Sequence, residues 1–214
     1  MISIIIPACN EENYIEKTLD SIFKQNFRKY EIIVVCNGCT DSTFEKVKLK
    51  ADKVLNFSWR NIAKARNEGV KIAKYDKLVF LDADTRLIGD VLKTISKTDF
   101  IIGTCKFKPD SNKLKHRVYY FTKSHIFSPI FKITNGILFT TKADFILFDE
   151  NLKKGEEGDL LRKTLKLKKA KFILLDQYVE SSTRRYDQLG YLNVILYWIK
   201  EKLKPSSEDY SLIR

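Results

Sequence analysis

The chain has 214 residues, with 39 Lys and Arg against 27 Asp and Glu and a formal net charge of +12. Hydrophobic residues make up 44% of it, and 8 Gly and 4 Pro are too few for a disordered or collagen-like chain. A chain of this length has room for one sizeable core. The basic excess indicates an anionic partner, and nucleic acid, a lipid surface and a phosphorylated small molecule all stay open.

The first half of the sequence alternates strand patterns with helix patterns. Short apolar strands are predicted at residues 2–6, 31–35, 53–56 and 77–81. Amphipathic helices lie between them, the first capped by Asn10 and the third spanning residues 62–73. This alternation predicts a parallel sheet with right-handed crossovers, which binds ligands beyond the carboxyl ends of its strands.

After residue 98 the pattern becomes mixed. Strands are predicted at residues 99–107, 136–140 and 171–175, and helices at residues 113–127, 159–169 and 186–203. Asp159 is the expected cap of the second of these helices. We expect an α/β protein with a mostly parallel central sheet flanked by helices, the first half being doubly wound. No linker or internal repeat divides the chain, which predicts a single domain over residues 1–214.

No segment is typical of targeting or membrane insertion. The N-terminal run has no basic region before its apolar residues, and Pro7 interrupts them. The most apolar later stretch, residues 190–199, has about half of the roughly 20 residues of a spanning helix. Four cysteines without a secretory signal predict reduced thiols. We therefore expect a cytoplasmic protein.

Two carboxylates directly follow the strand that ends at Leu81. In the sequence Asp82-Ala83-Asp84 they alternate at the carboxyl end of a strand, where one or both would face a ligand crevice. Hard oxygen ligands of this kind suit Mg²⁺ or Mn²⁺ bound together with a diphosphate. A solvated turn in which Asp84 caps the next element explains the same spacing, and the motif alone leaves both interpretations open.

Four segments, in this order and spacing, resemble the large second family of nucleotide-sugar glycosyltransferases, which has an A-type, Rossmann-like fold. They are SIIIPACNEE at residues 3–12, EIIVVCNGCTDST at residues 31–43, ARNEG at residues 65–69 and VFLDADT at residues 79–85. The resemblance continues at residues 135–136, 148–150, 156–162 and 182–185 and at Gly190, and so covers about residues 2–190.

The resemblance implies a donor site in the first half of the chain. Its nucleoside-binding edge comprises Pro7, Ala8, Asn10 and Glu11. Asn37 stands where the family usually has an Asp that contacts the base, and Arg66 would approach the nucleotide. The segment Asp82, Ala83 and Asp84 looks like the part that binds the metal and diphosphate, with Asp82 and Asp84 as ligands of Mn²⁺ or Mg²⁺.

In the second half, the resemblance implies the acceptor side of the site. Asn135 and Gly136 look like the shelf for donor sugar and acceptor. Glu157 stands where the family usually has an Asp as catalytic base, and the adjacent Glu156 is the alternative. A positioned carboxylate can deprotonate an acceptor hydroxyl, while a divalent metal and arginines stabilise a departing diphosphate. Arg184 and Arg185 would supply that cationic clamp.

These residues divide the expected domain into a nucleotide-binding half at residues 1–98, an acceptor and catalytic half at residues 99–185, and an amphipathic helix and tail at residues 186–214. The expected function is metal-dependent, inverting transfer of a sugar from a UDP- or GDP-sugar to a hydroxyl of a glycan or glycolipid. The alternative is a polyprenyl-phosphate sugar synthase at a membrane surface, whose ionised acceptor would need no base.

Two further functions stay open on single features. Cys36-Asn-Gly-Cys39 lies between a strand and a helix, where a thiol-disulfide oxidoreductase would carry its motif. Eight Lys or Arg lie within residues 153–171, which leaves a basic nucleic-acid-binding protein as the other alternative. No nucleic-acid motif accompanies them, so we expect no nucleic acid as partner. The last helix, with its aromatic residues and lysines, would pack on the core or, alternatively, on an anionic membrane surface as a peripheral anchor.

Overall fold

The computed structural model describes residues 1–152, 155–194 and 196. Its strands are β1 (Ile2–Ala8), β2 (Tyr30–Asn37), β3 (Lys53–Phe57), β4 (Lys77–Leu81), β5 (Thr85–Ile88), β6 (Ile102–Pro109), β7 (Ile137–Thr141) and β8 (Phe172–Ser181). Its helices are α1 (Ile15–Phe23), α2 (Thr43–Val47), α3 (Ile62–Ile72), α4 (Val91–Lys97), α5 (Leu114–Thr122), α6 (Ser128–Phe131), α7 (Glu156–Leu167) and α8 (Arg184–Leu189), with a π-helical turn at Lys123–Phe127 between α5 and α6.

The eight strands form one sheet in the order β3-β2-β1-β4-β7-β6-β8-β5. The first four strands in that order run parallel, and β7 joins β4 in the antiparallel direction. Across the described residues, four of the seven strand pairings are parallel. The predicted α/β fold with helices around a mostly parallel sheet is therefore confirmed.

Apolar side chains cover both faces of the parallel half. All seven residues of β1 are buried, as expected for a strand between two helical layers. Ile4 and Ile6 pack into the core below α1, whereas Ile5 joins a second core with Ala63 and Ala65 of α3. Alternate side chains thus hold helices on opposite faces, which leaves the carboxyl ends of β1, β2 and β4 at one edge.

The second half differs from the predicted elements in several places. Strand β5 and helix α4 are not in the sequence prediction, because β5 has only four residues and is defined by its pairing with the distant β8. The predicted helix at residues 113–127 is longer and runs through a π-helical turn to Phe131. Pro129 explains that turn, since it lacks the amide proton of a regular helix and its ring crowds the carbonyl four residues earlier.

Two predicted helix caps are wrong. Asn10 lies five residues before α1 in the left-handed region, with φ 56°, and its side-chain oxygen accepts the N–H of Thr40 at 2.8 Å. Asp159 lies inside the first turn of α7, which begins at Glu156 after Gly155. Its carboxylate instead pairs with Arg162 at 2.7 Å and Lys163 at 2.6 Å.

The C-terminal helix predicted at residues 186–203 is interrupted. Helix α8 ends at Leu189, and Gly190 has φ 75° before helical residues resume at 191–194. Most of the remaining prediction lies outside the described residues. Among the residues that are described, none of the helices combines the length and apolar character required to cross a bilayer.

Helix α3 approaches β1 closely at Gly69. A Cβ atom placed there would lie 2.4 Å from Cγ2 of Ile5. We expect Gly69→Ala to lower the free energy of unfolding by about 1–3 kcal/mol, because the overlap outweighs the gain in helix propensity. Chemical denaturation measures this change.

Gly158 in α7 is the matched control. A Cβ atom there meets nothing within 4 Å. Gly158→Ala is therefore expected to raise the free energy of unfolding by about 0.5–1 kcal/mol. Equal changes in the free energy of unfolding for the two substitutions would show that the packing of α3 on β1 leaves room for a side chain at position 69.

Candidate active site

Polar side chains converge at the carboxyl edge of the parallel strands. Asp82, Ala83 and Asp84 form the turn that follows β4, as the sequence predicts. The N–H of Asp82 donates to the carbonyl of Gly136 at 2.9 Å, and Thr18 Oγ1 of α1 donates to the carbonyl of Ala83 at 2.7 Å. The backbone of this turn is thus held by α1 on one face of the sheet and by the residue that precedes the neighbouring strand β7.

Arg66 connects three carboxylates in this crevice. Its Nη2 lies 2.9 Å from Asp82 Oδ1 and 2.6 Å from Glu157 Oε1, and its Nη1 lies 2.6 Å from Glu156 Oε1. Although burial opposes its charge, the carboxylates of Glu157, Glu156 and Asp82 raise the pKa of Arg66 above its usual value. Arg66 is 1% exposed, so its guanidinium mainly organises carboxylates in this structure.

Glu157 is the carboxylate best placed to exchange a proton. Its second oxygen, Oε2, accepts a hydrogen bond from Thr134 Oγ1 at 2.6 Å, and its side chain is 16% exposed. Burial raises the pKa of Glu157 to about 7, although Arg66 opposes the shift. A carboxyl group with this pKa exists in both protonation states near neutral pH, as a general base requires.

Glu156 has a different environment from its neighbour. It is 8% exposed and directs its carboxylate to Arg66 in the interior. Both adjacent glutamates thus pair with Arg66, but Glu157 is the more exposed of the two and also binds Thr134.

A second arginine connects two further carboxylates at this edge of the sheet. Arg184 donates to both carboxylate oxygens of Glu11, at 2.6 and 2.8 Å, and lies 3.1 Å from Asp84 Oδ2. Its guanidinium also stacks 4.5 Å from the ring centre of Tyr14. Burial raises the pKa of Asp84 to about 6 against the opposing charge of Arg184. Arg185, next to it, also lowers the pKa of Asp84 through its charge.

The expected nucleoside edge is formed mainly by backbone. Pro7 and Ala8 are buried at the end of β1, opposite Val35 and Cys36 of β2. Asn37 is 2% exposed, and its amide donates to the carbonyl of Ala8 at 2.9 Å. Asn37 therefore ties the two strand ends together, and its contact with a base stays a prediction.

Lys123 is a site residue that the sequence analysis missed. Its Nζ donates to Asn135 Oδ1 at 2.9 Å, and burial lowers its pKa. Lys123 lies on the π-helical turn, a feature frequent at functional sites, but a lysine within a predicted helix carries no such signal. Gly136 beside Asn135 has φ 75°, and a Cβ there would lie 2.3 Å from Thr85 Oγ1, so glycine is required.

The side chains at this edge of the sheet supply only part of the ligands that a divalent metal needs. Within the described ranges, no group of three or more His, Cys, Asp and Glu side chains is arranged to hold a metal ion. Asp82 and Asp84 use one oxygen each in the ion pairs with Arg66 and Arg184. Two carboxylates completed by diphosphate oxygens and water form the usual Mg²⁺ arrangement, so these residues fit a metal that arrives with the donor.

The predicted CxxC segment holds free thiols. Cys36 is fully buried and its pKa is raised, whereas a hydrogen bond with Cys36 lowers the pKa of Cys39 to about 7. The lowered pKa of Cys39 thus depends on its hydrogen bond with Cys36. Redox chemistry at the pair stays a prediction that nothing in the fold tests.

Replacing Arg66 should destabilise the protein strongly. In Arg66→Met, three carboxylates lose their shared cation, and we expect the free energy of unfolding to fall by about 3–5 kcal/mol. Arg162→Met is the control. Arg162 also pairs with a carboxylate, that of Asp159, but the Arg162 side chain is 76% exposed. That change should cost less than about 1 kcal/mol in the same denaturation experiment. Similar losses for both variants would contradict the central role of Arg66.

Comparison with known proteins identifies the family. The family model "Glycosyl transferase family 2" matches residues 3–154. The glycosyltransferase GlyA of Streptococcus pneumoniae is 27% identical over 216 residues, which cover 94% of this chain and 29% of that protein. The chain thus spans less than a third of the length of this relative.

Solved structures show the same fold. The crystal structure of Staphylococcus aureus TarS 1-349 in complex with UDP has a TM-score of 0.66 and 22% identity, and covers 85% of this chain and 60% of that one. The mannosyltransferase PcManGT of Pyrobaculum calidifontis, in complex with GDP-Man and Mn²⁺, has a TM-score of 0.66 and 15% identity. The match covers 97% of this chain and 65% of that one. With the match over residues 3–154, these findings confirm the predicted resemblance: the chain belongs to glycosyl transferase family 2.

Proposed function

We propose that the protein transfers a sugar, with inversion, from a nucleotide-diphosphate sugar to an acceptor hydroxyl, in a reaction that depends on Mn²⁺ or Mg²⁺. The observation that carries this proposal is the position of Glu157. Its carboxyl group, with a pKa of about 7, shares Arg66 with Asp82 at the carboxyl edge of the sheet. The proposed base and the proposed diphosphate and metal ligand therefore lie on one arginine, which supports assigning them to one reaction.

Donor binding is supported by the site and by the structural neighbours. TarS has been crystallised with UDP, and PcManGT with GDP-Man. We propose that Pro7, Ala8, Asn10, Glu11 and Asn37 line the nucleoside of a UDP- or GDP-sugar. A nucleoside would then lie against the ends of β1 and β2, where ligands bind in open α/β sheets.

The metal would be held by Asp82 and Asp84 and would neutralise charge on the departing diphosphate. Arg184 and Arg185 add positive charge on the same side of the crevice. Arg184 already connects Asp84 with Glu11, and its guanidinium matches a diphosphate in geometry. These arginines stabilise the leaving group, while Arg66 keeps the carboxylates in position.

Glu157 acts as the base on the other side of the donor. It removes the proton from the acceptor hydroxyl as that oxygen attacks the anomeric carbon, and the nucleotide diphosphate departs from the opposite face. A single displacement of this kind inverts the configuration. Asn135 and Gly136 form the shelf that orients sugar and acceptor, and Thr134 holds the carboxylate of Glu157 through a 2.6 Å hydrogen bond.

A lipid-carried glycan or glycolipid and a free glycan both present hydroxyls. A polyprenyl phosphate, the second candidate acceptor, is already ionised and needs no base. The presence of a base with a pKa near 7 therefore favours a hydroxyl acceptor.

We propose the layout expected from the sequence: one domain with residues 1–98 for the nucleotide, residues 99–185 for acceptor and catalysis, and residues 186–214 as a C-terminal segment. The free thiols fit a reducing, cytoplasmic compartment.

Removal of the carboxylate at position 157 should abolish transfer. For the wild type, kcat/KM should rise as pH increases through about 7, because the base acts only when it has lost its proton. Glu157→Gln should lose transfer at every pH by about 100-fold or more, while donor binding by calorimetry is retained.

Glu156→Gln is the matched control for this experiment. It removes a carboxylate from Arg66 but leaves the one that faces the crevice, so the pH profile should keep its rise near pH 7 with a smaller loss of rate. Full activity of Glu157→Gln would exclude Glu157 as the base. Loss of the pH-dependent rise in Glu156→Gln, but not in Glu157→Gln, would assign the base to Glu156.

Removal of one proposed metal ligand should uncouple donor binding from metal. With wild-type protein, Mn²⁺ should increase the thermal stabilisation by UDP or GDP, since a ligand of the folded state raises stability with ln(1 + [L]/Kd). Asp84→Asn should remove the Mn²⁺-dependent part of this shift. Asp90→Asn, on the turn before α4, should keep it. An unchanged shift in Asp84→Asn would reject Asp84 as a ligand.

A further inference from the structure

The helical stretch at residues 114–131 has an unusual distribution of side chains. Helix α5, the π-helical turn and α6 follow one another without a break. The buried positions are His116, Tyr120, Ser124 and Ser128, spaced four residues apart and each at most 2% exposed. The inner side of this stretch is therefore mostly polar.

The outer side is apolar. We call the following six residues the outer patch: Leu114 (73% exposed), Val118 (57%), Phe121 (61%), Ile126 (48%), Ile130 (64%) and Phe131 (60%). A helix on a water-exposed surface normally directs its apolar stripe towards the core and its charges outward. Here that arrangement is reversed, and clustered exposed apolar residues mark an interaction site.

The chain segment that carries the outer patch has charged side chains of one sign only. Residues 111–133 contain five Lys or Arg and neither Asp nor Glu, and one of the five, Lys123, points to the inner side. Arg117 and Lys132 are exposed beside the patch. Lys113 and Lys115 lie 3.0 and 3.8 Å from Asp187 of α8, which partly neutralises that end. The patch therefore combines exposed aliphatic and aromatic side chains with a cationic border.

We propose that the outer patch binds the surface of an anionic lipid bilayer. Interfacial helices have this combination: apolar side chains that enter the acyl boundary and Lys or Arg at the level of the head groups. A second copy of the chain would bring two cationic borders together, which like-charge repulsion disfavours. Charge complementarity thus favours lipid over self-association, and the outer patch differs from the C-terminal helix considered in the sequence analysis.

The same helical stretch connects the bilayer surface with the acceptor side of the crevice. On its inner side, Lys123 donates to Asn135, and Thr134 next to it binds Glu157. If the proposed function holds, an acceptor carried by a lipid would therefore reach Glu157 from the membrane side. The lipid-binding inference itself does not depend on transferase activity.

Vesicle sedimentation with the full chain tests this inference. Wild type should bind vesicles in which about a third of the lipid is phosphatidylglycerol, and bind phosphatidylcholine vesicles much less. Phe121→Ser combined with Ile130→Ser should lower the partition coefficient by about tenfold or more, because apolar groups no longer enter the acyl boundary. Neither donor nor acceptor is present, so failure here is distinguishable from failure of the proposed reaction.

Leu49→Ser combined with Leu167→Ser is the matched control. Leu49 and Leu167 lie outside the outer patch and are 87% and 69% exposed. Leu167 has lysines as its neighbours in the sequence. This variant should bind vesicles as the wild type does, and both variants should keep the wild-type melting temperature. Undiminished binding by the Phe121 and Ile130 variant would overturn the inference. Absence of vesicle binding by the wild type would also overturn it. If sedimentation equilibrium then shows dimers of the wild type that the outer-patch variant does not form, the patch binds a second copy instead.

Discussion

The arrangement of the crevice depends on one buried cation. Arg66 projects from α3 into the interior and meets carboxylates from the turn after β4 and from the start of α7. A buried charge is tolerated only when it is paired, and the carboxylates of Glu156 and Glu157, whose side chains are 10% and 16% exposed, would likewise be costly without the arginine. Helix α3 can carry Arg66 to this place because Gly69 lets it approach β1. Packing of a helix on a strand thereby sets the geometry of groups that the proposed reaction uses.

Local patterns predicted the elements that bring these groups together, but not the contacts among them. The apolar runs of β1, β2 and β4 and the carboxylates that follow β4 are visible in the sequence because each is a short-range feature. Arg66 and Glu156 are 90 residues apart, and Glu11 and Arg184 are 173 residues apart. Nothing local signals such pairs. The resemblance directed attention to Arg66 as a nucleotide contact, and only the fold shows its carboxylate partners.

The wrong caps and the missed strand have a common physical cause. Asn10 and Asp159 have the right chemistry for a helix start, but Asn10 binds Thr40 across the loop and Asp159 forms ion pairs one turn later. Strand β5 exists because β8 pairs with it. The helix predicted at residues 113–127 likewise comes with no indication of which side faces inward. Tertiary contacts decide these cases, and they put the polar side of that helix inside.

One backbone hydrogen bond has consequences for how ligands affect one another. The N–H of Asp82 donates to the carbonyl of Gly136 at 2.9 Å, so the turn of the proposed donor site and the shelf of the proposed acceptor site form a single unit of main chain. Gly136 cannot move independently, because Thr85 lies against it. If a ligand displaces one part together with the other, the free energy of that movement enters both binding equilibria. Reciprocal coupling follows: whatever factor the donor contributes to acceptor affinity, the acceptor must contribute to donor affinity.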